Sequence, residues 1–437
     1  MSLVTPKKGY KSVPWLFGKK IEIPDEWEVK SIKELGEIVT GNTPDTTNNE
    51  YYHSDFLWAS PIDLQKEKYV KQTNVMVSKK GFSISRKIPK DSVLVVCIGS
   101  TIGKIGIASV EMSTNQQINS IICNENDSHF IYYQLLHNNY LIKNIANQSA
   151  IPILNKTEFG KLKLFIPTKI TEQQKIATIL SNVDNLIEST GMVITNSKKV
   201  KKGLMQKLLT QGIGHTKFKK VPWLFGKDIE IPEEWEVKKT DDIFDFLISG
   251  TNARSDLNDV GEIHYIHYGD IHTKWNNELN FDSEKTPRID KEKVSRLPLL
   301  KEGDLIIADA SEDVEGSGTS ISLKNIKNKK IVAGLHTLVL RRKDETISFE
   351  FMKYLTSISY VKIQITSWVT GAKVFGLNKK SCKEIKVPLP PLSEQQKIAT
   401  ILSNIDSKIE SQEQYKENLQ KLKKSLMQKL LTGEVRV

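Results

Sequence analysis

The apolar positions of the chain follow two kinds of pattern, and each kind occurs twice. Over 171–210 they fall at Ile176, Leu180, Val183, Ile187, Ile194, Leu204 and Leu208, and over 393–432 at Ile398, Leu402, Ile405, Ile409, Leu419, Leu426 and Leu430. Spacings that alternate between three and four, with polar breaks, describe a heptad seam and predict two long helices. Each block opens on Thr-Glu-Gln-Gln or Ser-Glu-Gln-Gln, so Thr171 and Ser393 precede Gln174 and Gln396 in the order of a capping box. Pro167, and Pro388, Pro390 and Pro391, stop whatever comes before, and Gly212 and Gly433 follow the helix ends. Residues 171–210 would span about 60 Å at ~1.5 Å per residue. One narrow apolar stripe on so long a helix needs another helix to cover it, which favours a mutual coiled coil over two helices buried against their own domains. Gly191, present in the first copy only, marks an expected kink.

The second pattern is short and strand-like. VLVVCIGS (93–100) and DLIIADAS (304–311) read as buried strands, and IGKIGIASV (102–110) and KIVAGLHTLVLRR (330–342) as further strands beside glycine turns. HFIYYQLLHNNYLIKNIAN (129–147) and FEFMKYLTSISYVKIQI (349–365) read as matching helices, each followed by a similar tail at 150–167 and 372–390. The two inserts are therefore expected to share an α+β fold.

Direct comparison of the two halves shows a duplication. VPWLFGKKIEIPDEWEVK (13–30) returns as VPWLFGKDIEIPEEWEVK (221–238), and TEQQKIATILSNVDNLIES (171–189) as SEQQKIATILSNIDSKIES (393–411). KKGLMQKLLT (201–210) returns as KKSLMQKLLT (423–432). Between these blocks the halves have diverged almost completely, as 36–64 against 244–271 shows. The repeat is far longer than a solenoid unit, so it is a duplicated domain-plus-helix unit. A retained frame around dissimilar inserts implies two readers of different things. The expected division is 1–169 as the first recognition domain with its entry segment and 170–212 as the first long helix. Residues 213–391 then form the second domain with its entry segment, and 392–437 the second helix.

At 437 residues the chain exceeds one ordinary core. A net charge of +11 and a pI near 9.1 favour an anionic partner. Cys97, Cys123 and Cys382 lie far apart and share no CxxC spacing, which points away from a disulfide framework or zinc site and towards a reducing compartment. With no apolar leader and no run long enough to span a bilayer, a cytoplasmic protein without membrane association is the expectation.

Signatures of catalysis are mostly absent. GSTIGK (99–104) has too few residues between its glycines for a phosphate-binding loop, and Ile105 follows where Ser or Thr is needed. Asp25, Glu28 and Lys30 have the residue types of a nuclease carboxylate–lysine motif at too short a gap, and an edge turn before a strand is the better reading. Neither an Asn/Asp-Pro-Pro-aromatic motif nor a GxGxxG after a strand occurs. His264, His267 and His272 lack carboxylates at metal-ligand spacing. No catalytic, cofactor or metal residue is therefore assigned.

Features that suit DNA are more numerous. The polar segments 40–49 and 249–259 place Asn42, Thr43, Asn252 and Arg254 on loops, where such side chains pair with base edges and phosphates. Glycine turns at Ser100, Thr101 and Lys104, and at Ser317, let the backbone approach a phosphate. Asn115, Gln116 and Gln117 form an amide cluster suited to adenine, although such amides also satisfy turns. Lys156, Lys373 and Lys379 suit the DNA backbone, although lysines also simply solvate a surface. Tyr268, Asp270 and His336 complete the set in the second insert.

The repeated helix blocks, their KKGLMQKLLTG-like endings and the PWLFG…IPDEWEVK entry segments resemble the specificity subunits of type I restriction–modification systems. In the first insert GNTP (41–44), FLW (56–58, ending in Trp58), Asp63, IGK (102–104) and NQQ (115–117) belong to the same resemblance. The resemblance implies two target-recognition domains separated by two long antiparallel helices, in a pseudo-two-fold arrangement. It implies that each domain reads half of a bipartite, asymmetric double-stranded DNA sequence, with the helices setting the spacer. Two modification (methyltransferase) subunits and restriction subunits would be partners, and S-adenosylmethionine, ATP and Mg2+ would belong to them. Two other readings compete: a coiled-coil scaffold for proteins, and a self-contained DNA-modifying enzyme.

Overall fold

The computed structural model describes residues 7–15, 20–65, 67–146, 152–275, 277–371 and 373–437. Leu16 to Lys19 of the first entry segment, Asn147 at the end of an expected helix, and Ala150 and Ile151 at the start of the first tail lie outside the described residues. The chain divides into two compact units, Met1–Gly191 with Gln414–Val437, and Met192–Glu413.

In the first unit a five-stranded sheet runs in the order Gly36–Thr40, Ile118–Cys123, Val93–Val96, Ile105–Ala108, Tyr69–Val70, with only the last pair parallel. The second unit repeats this order and its one parallel pair with Phe244–Leu247, Thr337–Arg342, Leu305–Ala308, Ser320–Lys324 and Glu278–Asn280. The inserts share one fold although their sequences do not align by eye. Their central strands are uniformly apolar because both faces are covered. Val93 and Val95 enter the core beneath the helices, while Leu94 and Val96 meet Ala59, Ile88 and Met112 on the other face. Leu305 and Ile307 against Ile306 and Ala308 repeat the alternation in the second unit.

A smaller sheet lies beside each large one. It comprises Val75–Val77, Tyr52–Ala59, Met112–Thr114 and Lys87–Ile88 in the first unit, and Arg288–Ile289, Ile263–Ile266 and Ile331–Ala333 in the second. Each entry segment is an antiparallel hairpin, Tyr10–Pro14 with Lys20–Pro24 and Phe218–Pro222 with Asp228–Pro232. The turn after Pro24 leads into the strand Trp27–Ser31, in agreement with the edge-turn reading.

The two long helices are Ile170–Gln211 and Leu392–Leu431. Their ends and middles do different work. Ile176, Ala177 and Leu180 share the core of the first unit with Leu430 and Leu431, whereas Leu208 and Leu209 share that of the second with Ile398, Ala399 and Leu402. Each core thus needs the start of one helix and the finish of the other. Between these ends the helices pack antiparallel on each other. In the first unit Asp184 pairs with Lys423 at 2.6 Å, and a side chain at Gly191 would meet Lys416 Nζ at 3.1 Å. In the second, Lys198 pairs with Glu413 at 2.7 Å and Lys201 with Asp406 at 2.5 Å. The helix Ile170–Gln211 continues through Gly191 without interruption.

Four sequence expectations are corrected. The capping box does not form, because the helices begin at Ile170 and Leu392 and leave Thr171 and Ser393 inside the first turn. Lys169 and Pro391 carbonyls accept the first helical bonds, from Glu172 and Gln173 and from Glu394 and Gln395. The helix expected at 129–147 is broken at Asn138, whose amide donates to both the Gln134 carbonyl and Gln134 Oε1, giving Ser128–His137 and Asn139–Ala146. The one expected at 349–365 becomes Phe349–Met352, a 3-10 turn at Leu355–Ser357, and Ser359–Trp368. The strand expected over 330–342 splits into Ile331–Ala333 and Thr337–Arg342, because Gly334 lies against the Tyr265 ring and His336 takes a left-handed φ of 57°.

Candidate nucleic-acid interface

In each unit the loops at one end of the large sheet gather polar side chains, and the small sheet positions them. In the first unit Gly41 lies so close to Thr114 that a Cβ would fall 2.2 Å from its carbonyl oxygen. Asn42 donates its amide hydrogen to that carbonyl at 2.9 Å, and the Trp58 indole donates to the Asn42 carbonyl at 3.1 Å. The Asn42 side chain is engaged, accepting from Arg86 N at 2.7 Å and donating to the Ile84 carbonyl at 3.2 Å. Asn115 is buried and donates to Gln117 Oε1 at 3.0 Å, and Gln117 Nε2 reaches the Ile98 carbonyl at 3.4 Å. Thr43 is exposed and donates to Gln116 Oε1, and Gln116 is exposed with it.

Ser100 and Thr101 stand on a turn bounded by Gly99 and Gly103, both at positive φ, and Lys104 donates to the Pro61 carbonyl at 3.4 Å. Asp63 is buried and accepts from Ser60 N, Ser60 Oγ and Asn74 N at 2.8–2.9 Å, which fixes the loop from Ser60 to Leu64. Lys156 is exposed in the first turn of the short helix Lys156–Lys161. The segment before it is tied to the same edge by bonds from Gly99 N to the Pro152 carbonyl and from Leu154 N to the Cys97 carbonyl.

The second unit builds the same edge from other residues. Tyr265 donates its hydroxyl hydrogen to the Asn252 carbonyl at 3.0 Å, matching Trp58 and Asn42. The segment His267 to Ile271 takes the place of Ser60 to Leu64, with Asp270 where Asp63 stands. Asp270 is buried and binds Arg254 through both oxygens at 2.9 Å, and Lys274 at 2.9 Å. Burial raises the Asp270 carboxyl, but bonds from Arg254 and Lys274 outweigh it and hold it below the ordinary range.

His336 occupies the position of Gln117. Its carbonyl accepts from Asp309 N at 3.1 Å, as the Gln117 carbonyl accepts from Cys97 N at 2.8 Å. His336 Nδ1 lies 3.2 Å from Asp309 Oδ1, and burial pushes the Asp309 carboxyl up. Tyr268 stacks on His267 at 4.8 Å and meets His336 edge-on at 5.2 Å. Arg254, His336 and Lys373 are exposed, while Ser317 is buried and donates to the Asp313 carbonyl. Lys379 is exposed at the start of the helix Lys379–Lys383 and donates to the Phe246 carbonyl at 3.1 Å.

Thr101, Lys104, Gln117, Asn252 and Tyr268 are half-buried, and the other candidates divide into two groups. Asn42, Trp58, Asp63, Asn115, Asp270 and Ser317 have side chains engaged within the fold, while Thr43, Ser100, Gln116, Lys156, Arg254, His336, Lys373 and Lys379 stand at the surface. Arg86 and Asp309 belong to the same edges but were not singled out from sequence, and His272, weighed there only as a metal ligand, lies 2.9 Å from the Ala310 carbonyl. Asp309 was hidden as one polar residue ending an apolar strand. Among the described residues no group of three or more His, Cys, Asp and Glu could hold a metal ion. Burial pushes the thiols of Cys97, Cys123 and Cys382 up to about 12.

The joints between domain and helix are repeated residue for residue. Trp27 donates to Glu172 at 3.3 Å in the first unit, and Trp235 to Glu394 at 3.0 Å in the second. Gln173 accepts from Asp127 N and donates to the Pro167 carbonyl, and Gln395 does the same with Ser348 N and the Pro390 carbonyl. Arg436 and His215 close the two glutamates from the segments that follow the opposite helices. This accounts for the retention of Glu-Gln at 172–173 and 394–395.

A duplicated mixed-sheet domain, closed in both copies by opposite ends of a shared helix pair and carrying unlike polar edges, defines a class of paired recognition modules. Residues 24–196 and 232–421 match the family model described as the type I restriction modification DNA specificity domain, and the chain belongs to that family. It is 30% identical over 439 residues to the type I restriction enzyme MjaVIII specificity subunit of Methanocaldococcus jannaschii, covering 95% of both chains. Among solved structures it is similar to the S subunit of a type I restriction–modification system from M. genitalium, with 17% identity, a TM-score of 0.57, and 92% of this chain and 96% of that chain covered. A chain solved in work on complex assembly and conformational transition of the type I R-M system gives 14% identity, a TM-score of 0.56, and coverage of 94% and 99%.

Proposed function

We propose that this chain is the non-catalytic DNA-recognition subunit of a type I restriction–modification complex, with each unit reading one half of a bipartite, asymmetric double-stranded target. The observation that carries the reading is the matched edge. At one topological position the first unit presents Gln117 and the second His336, on large sheets of the same strand order. Unlike side chains on like frames are what two unlike half-sites require. Lysines and loop backbone supply affinity for the phosphates, and a few side chains per unit discriminate bases.

The proposed partners are two modification subunits, joined by restriction subunits, in the cytoplasm. S-adenosylmethionine, ATP and Mg2+ belong to those partners. Support for docking comes from a second apolar line on the helices. Val193 and Val200 on one helix, and Tyr415 and Leu422 at the repeated positions of the other, are exposed and seven residues apart. A heptad spacing of exposed apolar residues suits a further helix.

The test is methylome sequencing of the host with and without this gene. Loss of one interrupted, asymmetric adenine-methylated motif is expected, and an unchanged methylome together with salt-independent DNA binding would overturn the reading. About six phosphate contacts would give a log–log salt slope near −5, at ~0.9 per contact.

A further inference from the structure

The hairpin Phe218–Pro222 with Asp228–Pro232 is anchored at its base and bare at its tip. Ile231 is fully buried, and Val221 and Ile229 pack against the core of the second unit. Trp223 meets Tyr360 edge-on at 5.9 Å, and Tyr360 donates its hydroxyl hydrogen to the Glu230 carbonyl at 3.2 Å. The loop is closed by bonds from Trp223 N to the Lys227 carbonyl at 2.8 Å and from Lys227 N to the Leu224 carbonyl at 3.1 Å. Two consecutive residues of this loop are left-handed, Phe225 at φ 57° and Gly226 at φ 68°.

Asn-Gly is the pair that such a turn prefers, because asparagine tolerates this backbone and a bulky aromatic does not. Here the strained position carries phenylalanine, and its side chain is 77% exposed. Neither local backbone preference nor burial accounts for a phenylalanine there. Strain held at an exposed aromatic points to something outside the chain. Lys220 and Lys227 flank it, both exposed. The tip sequence Trp-Leu-Phe-Gly-Lys also occurs at 15–19, in the half whose reading residues differ. The site is defined on the second hairpin alone.

We infer that Phe225 is an anchor for a protein partner, seating in an apolar pocket with an acidic rim on the modification subunit. The inference rests on the reading of the chain as a subunit of that complex. DNA is the less suitable occupant because of where the hairpin is held. Tyr360 stands at the start of the ten-residue helix Ser359–Trp368. The other end of that helix, about 15 Å away at ~1.5 Å per residue, leads to Thr370, which pairs with Gly376 beside Ala310 of the polar edge. The hairpin is thus fastened at the end away from the edge that carries Asp309 and His336.

The test is Phe225→Asn in the full-length chain, titrated with the separately purified modification subunit of the same host. Asparagine suits the turn, so the melting temperature is expected to hold or rise while affinity for one bound modification subunit falls at least tenfold. The complex would then shift from two bound subunits towards one in analytical ultracentrifugation. Unchanged affinity and stoichiometry in Phe225→Asn would overturn the inference and leave the functional reading intact. If the wild-type chain itself fails to bind the modification subunit, it is the functional reading that falls. Weaker binding of Phe225→Asn to a random-sequence duplex, with partner binding unchanged, would assign the tip to DNA and overturn the inference.

Discussion

Tyr133 donates its hydroxyl hydrogen to the Asp184 carboxylate at 2.6 Å, and Tyr354 repeats this with Asp406 at 2.9 Å. Each tyrosine belongs to a recognition domain and each aspartate to a long helix. Lys423 completes the first set at 2.6 Å from Asp184, and Lys201 the second at 2.5 Å from Asp406. Each unit therefore locks three elements, its domain and both helices, through one carboxylate. Burial, with the carboxylate beside it, pushes each tyrosine hydroxyl well up.

Replacing either tyrosine with phenylalanine removes the donor and keeps the ring. A hydrogen bond to a charged group contributes about 1.5–3 kcal/mol, so Tyr133→Phe and Tyr354→Phe should each lower unfolding stability by about that much. The two sets share no partners, so the double variant should lose close to the sum of the two. Denaturant titration followed by circular dichroism measures both. A double variant no less stable than either single one would show that the two sets are coupled.

Lys68 lies in the first unit where the domain meets the long helix. It donates to Ser181 Oγ at 2.7 Å and stands over the rings of Tyr69, Tyr132 and Tyr133. Burial is the main cause that lowers it to about 8, with Lys423 adding to the fall and Asp184 and Asp127 opposing it. The sign follows from proton counts. Below pH 8 both states hold the proton and the fold carries the full cost of burying the charge. Between pH 8 and the ordinary lysine value the unfolded chain holds more protons, so stability from this group rises with pH. The difference in melting temperature between Lys68→Met and the wild type should thus favour the variant most below pH 8 and shrink towards pH 10. A difference independent of pH would show that Lys68 is not desolvated.

Asp270 presents the opposite case. Its carboxylate is buried with Arg254 and Lys274 on it, and its lowered value places its contribution above the ordinary carboxylate range. That stability is present at neutral pH and lost only as pH falls through the folded value. Asp270→Asn should lower the melting temperature of the chain from pH 5 to 8 by a constant amount, and the loss should narrow in acid.

Much of the frame was legible in sequence because it is periodic or repeated. The heptads of 171–210 and 393–432 predicted the long helices, and uniform apolar runs such as 93–96 predicted the central strands. What escaped were interruptions that leave the apolar pattern intact. Leu355 and Ile358 remain buried across a break that ends one helix and starts another, and Asn138 stops a helix through its own side-chain bonds. The correspondence of the two polar edges was illegible for a different reason. Trp58 and Tyr265, and Gln117 and His336, share places in the fold but not residue types, and Asp63 and Asp270 share a residue type but no local sequence. Backbone bonds place them, and those bonds leave no trace in the letters.

That correspondence yields the sharpest prediction about recognition. Gln117 and His336 stand at one position of two frames, so each should affect only its own half of the target. A good bidentate contact is worth about 1–3 kcal/mol of discrimination, so Gln117→Ala should relax preference at one base pair of the first half-site by roughly 5- to 150-fold. His336→Ala should do the same in the second half-site, and neither should alter the spacer. Neither substitution removes a lysine or an arginine, so the salt slope should stay unchanged while the sequence preference changes. Selection of randomised duplexes by each variant measures this directly. If both substitutions relax the same half-site, the topological match between Gln117 and His336 does not describe how the target is read.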